Sequence, residues 1–441
     1  KFAANLSVFF VYFGGSFGWL ISYFKDRSLG GESLFWAQQA ISSLINPPFA
    51  ISLLLFLAGL ILLHRFVYQK QHHAWFIIPL VILWGSMIEF KVYGGVLVLG
   101  ALIVVSFVEV LKRNFGFLKI SIPIAALSLA VFFPNNSGSG SLLIFAPFWL
   151  IHSMVDSTDR LNFFRLSLAR MAGIESGNWF KFIGAEIVGL IFFLLGNLGT
   201  RIISLFNPKF FWPEDVFKLF ILSFLILAVC ISMLFTQKGA GFNIIQFFYY
   251  FIFIFNFFAA FSLTLIIKKY KILGWILTTI VVILTLPTTW DTLHHYLPKR
   301  PPAMISQREF EALEFLRKQP EGIVLSYYFD KKLSEKFDAP KPLIAYESTA
   351  YVGAFSAKPE FIADTVNLEI LGIDYKGRLQ SQKDIFANKE LEIVKKLLKE
   401  GKIKYIYAPK LSGFKPDQEK LGVRDIFENE EVTIFKTEDS F

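Results

Sequence analysis

The sequence predicts an α-helical polytopic membrane domain followed by a small α/β domain, and two observations carry this prediction. Of the 441 residues, 54% are hydrophobic and only 18% are charged, with 52 phenylalanines among them. The charges are also unevenly placed: residues 1–300 hold 22 basic and 11 acidic side chains, whereas residues 301–441 hold 22 basic and 24 acidic ones. Residues 1–300 therefore form the predicted transmembrane domain, and residues 301–441 form the α/β domain.

Nine apolar stretches have the length, or nearly the length, of about 20 residues that a helix needs to cross a bilayer. We expect Gly14 and Gly15 to break the first stretch, and we expect Lys91 to form a tight hairpin between the third and the fourth. The stretches are 2–24, 49–66, 74–88, 93–110, 117–133, 181–199, 216–236, 243–267 and 272–289.

Two long connections combine apolar and charged residues, which is typical of re-entrant or surface-lying amphipathic helices. The first is 25–48, in which a helix is predicted over 33–46 and is ended by Pro47 and Pro48. The second is 134–180.

Lys and Arg are enriched in the cytoplasmic loops of membrane proteins, and this bias sets the predicted orientation. If the loops alternate, 11 basic residues, Arg201 among them, fall on one side and 8 on the other. The cluster at 268–271 belongs to the larger group, which we place inside. Both long connections, the turn at 237–242 and residues 301–441 then face outward. We thus predict a multi-pass protein of the plasma (inner) membrane with an extracytoplasmic C-terminal domain.

Short helices and strands alternate after residue 301, which favours an α/β domain. Ser306 and Glu309 have the spacing of a capping box that opens a helix ending near Lys318. Strands are predicted at 322–328, 403–407 and 432–435, and an amphipathic helix at 387–399.

Several classes of function are disfavoured by the composition. The basic residues that raise the net charge to +9 lie in the apolar part, so they suit membrane flanks and not nucleic acid. The single cysteine, Cys230, excludes an intrachain disulfide. No P-loop, GxGxxG, CxxC pair, HExxH or GxSxG motif is present. Because the chain starts at Lys1 directly in an apolar run, we expect it to be the later part of a longer polypeptide.

A first polar cluster surrounds the outward turn at 237–242. Gln237 and Lys238 begin it, and Asn243, Gln246 and Tyr250 follow at the spacing of one helix face. A cation above an amide-lined face suits a phosphate or the hydroxyls of a sugar. The alternative is that Lys238 snorkels to lipid headgroups while the amides join neighbouring helices.

A second polar cluster lies in 148–161 and contains His152, Asp156, Asp159 and Arg160. His152 and Asp156 are four residues apart and are predicted to pair on a helix. Such a group can bind diphosphate, ligate a metal or transfer protons. The alternative is a hydrophilic loop with local ion pairs.

Smaller polar groups complete the set of functional hypotheses. Lys91 and Glu32 each lie at the outward face, and each also fits a plain interfacial position. In the C-terminal domain, 346–351 and 364–369 combine aromatic and polar residues, which suits carbohydrate binding. Ordinary strand and turn structure explains the same pattern.

Several of these stretches together resemble a known group of bacterial proteins, the multi-span membrane proteins of the GT-C glycosyltransferase type. The resemblance covers most of the chain and rests on 13–19, 90–95, 196–201 and 237–250, and on 346–355 with Asp364, Asn367 and Glu369 in the tail.

The resemblance implies an enzyme that moves a sugar from a polyprenyl-phosphate donor to a glycan or lipid acceptor outside the cytoplasm. Such enzymes carry a catalytic acidic pair in the first outer loop, and no such pair follows the first span here. The main catalytic acid is then expected upstream of this chain, and otherwise Asp156 or Asp159 serves. A divalent cation, Mg²⁺ or Mn²⁺, is an open possibility.

The polar residues receive roles under this hypothesis. Lys91, His152, Arg160 and Lys238 would bind the donor phosphate, and Gln237, Asn243, Gln246, Tyr250 and Glu32 would bind the sugar or the acceptor. The alternative from another class is a non-enzymatic scaffold, a transporter or a polymer-export component with an outer binding domain. A transporter is disfavoured because the polar residues collect at one face and no repeated half is visible.

Overall fold

We describe a computed structural model of the chain, covering residues 1–71, 73–135, 143–238, 241–297 and 299–438. The side chains of Asn135 and Ile370 are left undescribed. The chain divides into two compact units, Lys1–Leu297 and Pro298–Phe441, here called the helical unit and the α/β unit.

The helical unit consists almost entirely of α-helices, because long apolar segments satisfy their backbone groups within each helix. Among its described residues, three 3₁₀ segments and one short antiparallel strand pair, β1 Leu143–Phe145 with β2 Phe235–Gln237, interrupt the helices. The helices are α1 Phe2–Phe13, α2 Gly18–Asp26, α3 Ala40–Leu44, α4 Pro47–Tyr68, α5 Ala74–Phe90, α6 Val92–Leu111, α7 Leu118–Asn135, α8 Trp149–Asp156, α9 Phe164–Glu175, α10 Trp179–Leu198, α11 Val216–Leu234, α12 Ile245–Tyr270 and α13 Ile272–Tyr296.

The helices long and apolar enough to cross a membrane are fewer than the nine predicted spans. Among the described residues there are six, formed by α4, α6, α10 with its 3₁₀ extension, α11, α12 with its 3₁₀ start, and α13. The pair α1 and α2 makes a seventh if it counts as one bent span. Each predicted stretch falls on a helix, but α5 and α7 are shorter and contain internal prolines. The coarser prediction of a polytopic helical domain is confirmed, and the count of nine is not.

The first span is broken where the two glycines predicted it. Helix α1 ends at Phe13 and α2 starts at Gly18, with a bend of 47° between them. A Cβ on Gly14 would lie 2.8 Å from a guanidinium nitrogen of Arg201 and 2.5 Å from the carbonyl oxygen of Phe10. The missing side chain therefore lets the backbone approach a buried arginine closely.

The prediction for residues 25–48 is wrong in two respects. The expected helix over 33–46 is reduced to α3, the five residues Ala40–Leu44. Pro47 and Pro48 begin α4 instead of ending a helix, and the side chain of Asn46 caps it by accepting a hydrogen bond from the Phe49 backbone at 3.3 Å. Proline fits the first helical turn because the N–H it lacks has no partner there.

Aromatic side chains fill the core between the helices. Phe56 stacks on Phe224 with ring centroids 4.6 Å apart, and Trp84 stacks on Phe220 at 4.9 Å. All four rings are fully buried. Part of the high phenylalanine content thus supplies packing between the helices.

The α/β unit is built around a four-stranded mixed sheet with the order β4-β6-β8-β7. Strands β4 and β6 are parallel, and β8 is antiparallel to β6 and β7. The elements are β3 Ala303–Met304, α14 Gln307–Arg317, β4 Ile323–Leu325, α15 Lys331–Ser334, β5 Lys341–Pro342, α16 Leu343–Tyr346, α17 Tyr351–Ser356, α18 Thr365–Ile370, α19 Lys376–Phe386, α20 Leu391–Glu400, β6 Ile403–Pro409, α21 Gln418–Leu421, β7 Val423–Glu428 and β8 Val432–Thr437.

The predicted capping residue of α14 is confirmed, and its partner has a further role. The Ser306 hydroxyl accepts a hydrogen bond from the Glu309 backbone at 2.9 Å. The Glu309 carboxylate is buried and accepts from the hydroxyls of Tyr351 and Tyr407 at 2.9 and 3.2 Å. Burial raises the pKa of Glu309 above its ordinary value of 4.5, and the two tyrosine hydrogen bonds partly oppose that rise.

The raised pKa of Glu309 predicts a pH-dependent stability of the α/β unit. A carboxyl group that binds its proton more tightly when folded makes the folded state less stable as the pH rises through the folded pKa. Stability should therefore increase on acidification from neutral pH and level off below about 4.5. Hydrogen exchange of β6 peptides in the full chain, corrected for intrinsic rates, measures this.

The substitution Glu309→Gln keeps an acceptor for both tyrosines and should remove that part of the pH dependence. Glu311→Gln is the matched control, since Glu311 is exposed on the same helix. An unchanged pH profile in Glu309→Gln would contradict the assignment.

Candidate functional site

A polar and aromatic cavity of about 320 Å³ lies in the helical unit where α4 and α12 begin. Its size is at the lower end of the range for small-molecule sites. Helix α4 contributes Phe49 next to its cap, and α12 contributes Gln246 and Tyr249 from its first turns. The remaining lining residues come from the first position of α12, the 32–46 connection, the 3₁₀ turn Gly241–Ile244 and the loop after α8: Ile245, Ser33, Trp36, Gln38, Ser43, Asn46, Phe242, Asn243 and Arg160.

Arg160 is the cationic side chain of this cavity. Its guanidinium lies 4.1 Å from the centre of the Trp36 ring, and Nη1 donates to the Ser33 hydroxyl at 3.0 Å. The neighbouring Asp159 carboxylate is 3.5 Å away and 70% exposed, so it neutralises Arg160 weakly. Nε of Arg160 is buried and has no hydrogen-bond partner among the described residues. An unpaired buried donor of this kind is costly, and a ligand acceptor would satisfy it.

Trp36 contacts two other side chains at the aromatic side of the cavity. Its indole N–H donates to the Ser153 hydroxyl at 2.9 Å, and its ring is parallel to that of Phe242 with centroids 6.3 Å apart. The backbone of Trp36 has φ of 74°, a left-handed conformation that costs about 1–3 kcal/mol for a non-glycine residue. Such a conformation persists only where the surrounding contacts impose it, and residues in such conformations are found often at functional sites.

The amides predicted around 237–250 are brought together in part. Nε2 of Gln246 lies 3.4 Å from Oδ1 of Asn243 and 3.5 Å from the Tyr93 hydroxyl. The Tyr93 hydroxyl donates to Oε1 of Gln237 at 2.9 Å, and the ammonium of Lys91 lies 5.5 Å from the Tyr93 ring centre. Gln237 and Lys91 are thus linked to the cavity wall through Tyr93 and do not line the cavity themselves.

The prediction that Asn243, Gln246 and Tyr250 share one helix face is wrong. Asn243 belongs to the 3₁₀ turn that precedes α12. Tyr250 is fully buried, and its hydroxyl is 2.6 Å from the Ser52 hydroxyl of α4. Tyr250 therefore joins two helices in the core and does not line the cavity, and its binding role stays a prediction.

The predicted pair of His152 and Asp156 is also wrong. Nε2 of His152 is 2.8 Å from Oε1 of Glu186 in α10, and Asp156 accepts from Arg170 of α9 at 2.6 Å. Both side chains join α8 to neighbouring helices. Neither lines the cavity, and the donor-binding role of His152 and the catalytic role of Asp156 stay predictions.

Glu32 and Lys238 are close in sequence to residues that line the cavity. The Glu32 carboxylate accepts from the Gln39 backbone at 3.1 Å and from the Ser42 hydroxyl, which places it at the base of the loop that carries Ser33 and Trp36. Lys238 is exposed directly after the short strand Phe235–Gln237, and its role stays a prediction.

Sequence reasoning missed Arg201, which it counted among the basic loop residues. Arg201 is fully buried in the 3₁₀ segment Gly199–Phe206 that follows α10. It donates to Oε1 of Gln39 at 2.7 Å, to the Gly15 carbonyl at 3.0 Å and to Oδ1 of Asn256 at 3.2 Å. Further bonds go to the carbonyls of Asn197 and Leu198.

Arg201 therefore stabilises the loop that contributes residues to the cavity lining. Its partner Gln39 is the residue that donates to Glu32, and Gln38 next to it lines the cavity. The chain of contacts from Arg201 through Gln39 to Glu32 fixes the connection that carries Trp36. The glycine-rich pattern around 196–201 is the signal that could have pointed to this close packing.

The described residues contain no group of three or more His, Cys, Asp or Glu side chains that could hold a metal ion. No step involving Mg²⁺ or Mn²⁺ is therefore derived from this cavity. In comparisons with known proteins, neither a family model nor a curated protein sequence matches this chain.

Proposed function

We propose that the helical unit is a membrane glycosyltransferase that binds a polyprenyl-phosphate-linked sugar at the Arg160 cavity and transfers the sugar to a glycan or lipid acceptor. The observation that carries the proposal is the buried, unpaired Nε of Arg160 in a cavity that is otherwise aromatic and amide-lined. It supports an anionic ligand with a hydroxyl-rich neighbouring group.

Two further features favour a phosphate beside Arg160. Helices α4 and α12 both begin at the cavity, so the positive ends of two helix dipoles point toward it. Asp159 is the carboxylate closest to Arg160, and its exposure leaves the guanidinium free to form charge-assisted hydrogen bonds.

The remaining lining suits the sugar. Asn243, Gln246 and Gln38 supply amide donors and acceptors, and Trp36, Phe242 and Tyr249 supply ring surface. Amides bind hydroxyls in either direction, and aromatic rings pack against the C–H face of a pyranose. The hydrogen bonds of Gln246 within the protein are long, so its amide can turn toward a ligand at small cost.

Transfer requires a carboxylate that takes the proton of the acceptor hydroxyl. With Asp156 bound to Arg170, the remaining acidic residues near the cavity are Asp159 and Glu32. We assign the role to Asp159, because its exposed carboxylate lies 3.5 Å from the lining residue Arg160, whereas the Glu32 carboxylate is held by Gln39 and Ser42. The sugar carbon then bonds to the acceptor oxygen, and the polyprenyl phosphate leaves.

The proposal places the cavity and the α/β unit at the outer face of the plasma membrane. The basic cluster Lys268, Lys269 and Lys271 at the opposite end of α12 supports this orientation, since such clusters stay inside.

The test is a titration of the full chain in lipid nanodiscs with two probes, undecaprenyl phosphate and undecaprenyl-phosphate mannose, followed by native mass spectrometry. Both should bind saturably. The substitution Gln246→Leu should weaken the binding of the sugar-bearing probe by about 5-fold, which corresponds to the loss of one neutral hydrogen bond. The affinity for the sugar-free probe should stay unchanged. Gln69→Leu, at an exposed site at the end of α4, is the control.

A glucose- or galactose-bearing probe replaces the mannose one if mannose alone fails. If no sugar-bearing probe binds to folded protein, the transferase proposal is wrong, and a scaffold or polymer-export component becomes the better reading of the chain.

A further inference from the structure

A second cleft lies in the α/β unit, at the carboxyl end of the edge strand β4. It has a volume of about 90 Å³ and is open to solvent on one side. In sheets with parallel strands, ligands bind outside the carboxyl ends of the strands. Residues 326–329 follow β4 directly and form one wall of this cleft.

That wall is aromatic. Tyr327 and Tyr328 stack with ring centroids 4.4 Å apart, and Tyr327 packs edge-on against the buried ring of Phe386 at 5.1 Å. The ammonium of Lys383 lies 5.5 Å from the Tyr328 ring centre. These contacts hold two rigid rings at the cleft with little conformational freedom to lose on binding.

The opposite wall brings together the two C-terminal segments that the sequence marked for carbohydrate binding. The Ser348 hydroxyl accepts from the Thr365 backbone at 2.9 Å and lies 3.0 Å from its hydroxyl. Asp364, whose φ is 49°, accepts from the side-chain amide of Asn367 at 2.6 Å. Segments 346–351 and 364–369 are therefore one polar surface.

One hydroxyl on this surface has no partner. The oxygen of Thr349 is buried from bulk water and makes no hydrogen bond within the part of the chain that the structure describes. Thr349 lines the cleft. Most buried polar groups are paired, so an unpaired one in a cleft points to a ligand that completes it.

The charged side chains that line the cleft indicate which class of ligand it can bind. The carboxylates of Glu347 and Asp364 and the ammonium of Lys383 leave no excess of positive charge. A phosphate or another anion would meet two carboxylates. A neutral group that combines hydroxyls with an apolar face fits the aromatic wall and the hydroxyl wall together.

We propose that this cleft binds one end of a neutral saccharide. The cleft holds the edge of a sugar ring, with a ring hydroxyl bonded to Thr349, and the rest of the glycan extends into solvent. This binding needs no lipid-linked donor, so it stands or fails separately from the transfer reaction proposed for the helical unit.

The experiment is saturation-transfer difference NMR on the full chain in a detergent without a sugar headgroup, because maltoside detergents would compete. The probes are glucose, galactose, mannose, N-acetylglucosamine and their β-linked disaccharides, with glucuronate as the charged comparison. At least one neutral sugar should give a saturable signal that exceeds that of glucuronate.

The substitution Thr349→Val removes the unpaired hydroxyl at nearly constant volume and breaks no bond of the free protein. It should weaken the neutral sugar by about 5-fold. Tyr328→Leu should weaken it by about 10-fold through the loss of ring surface. Thr433→Val, on a strand away from the cleft, is the matched control and should change nothing.

Absence of any saturable sugar signal with folded protein would overturn the proposal. Stronger binding of glucuronate than of every neutral sugar would overturn it as well, and so would sugar binding that Thr349→Val and Tyr328→Leu leave unchanged.

Discussion

Replacing Arg201 with methionine is expected to destabilise the helical unit by about 3–5 kcal/mol. Each buried hydrogen bond left unmade costs about 1–3 kcal/mol, and the acceptors of Arg201 lie in four separate parts of the chain. Gln39 and Asn256 would lose a charged donor in a site without water, and so would the carbonyls of Gly15, Asn197 and Leu198.

Tryptophan fluorescence measures this change selectively. All nine tryptophans precede residue 298, so the signal reports the helical unit alone. The midpoint of thermal unfolding in detergent should fall by roughly 10 °C for Arg201→Met. The midpoint should fall less for Arg201→Lys, since lysine keeps the positive charge but lacks the planar guanidinium with its several donors.

Arg165→Met is the control for Arg201, because Arg165 is an exposed arginine on α9. A melting temperature of Arg201→Met equal to that of the control would contradict a structural role for this guanidinium.

Replacing Arg160 with glutamine is expected to weaken the binding of undecaprenyl phosphate and of its mannose derivative equally, by about 10- to 100-fold. The reason is the loss of charge-assisted hydrogen bonds to the phosphate, each contributing about 1.5–3 kcal/mol. Native mass spectrometry of both probes measures it. Gln246→Leu, by contrast, should affect only the sugar-bearing probe, so the two variants separate the phosphate from the sugar.

Arg165→Gln removes the same charge from the neighbouring helix α9 and should leave both affinities unchanged. The double substitution of Arg160 and Lys238 by glutamine should abolish donor binding. Unchanged binding in that double variant, with normal tryptophan fluorescence, would remove the phosphate site from this cavity.

Features encoded by neighbouring residues were predictable from the sequence. Apolar runs locate the helices, because hydrophobicity and length are local properties. The glycine pair at 14–15 located the break in the first span, and Ser306 located the start of α14. The predicted count of nine included the stretches at 74–88 and 117–133, whose helices α5 and α7 are shorter than the six helices that are long enough to cross a membrane.

The site was predictable only in part, because its contacts join distant segments. Arg160 and the amides of Asn243 and Gln246 were identified, and they do meet in one cavity. Their aromatic partner Trp36 lies more than a hundred residues before Arg160 in sequence, so no spacing rule could assign it. His152 was paired with the nearest acidic residue on its own helix, whereas the fold supplies Glu186 from α10.

The acceptors of Arg201 constrain how the chain can be assembled during synthesis. Gly15 and Gln39 precede Arg201 by 186 and 162 residues, so both have been made when Arg201 leaves the ribosome. Asn256 follows 55 residues later. The set of acceptors around the guanidinium is therefore complete only when α12 has been made and has docked. A chain that ends between α10 and α12 would leave one of the hydrogen bonds of this buried charge unmade, and we expect such a chain to be less stable than the full one.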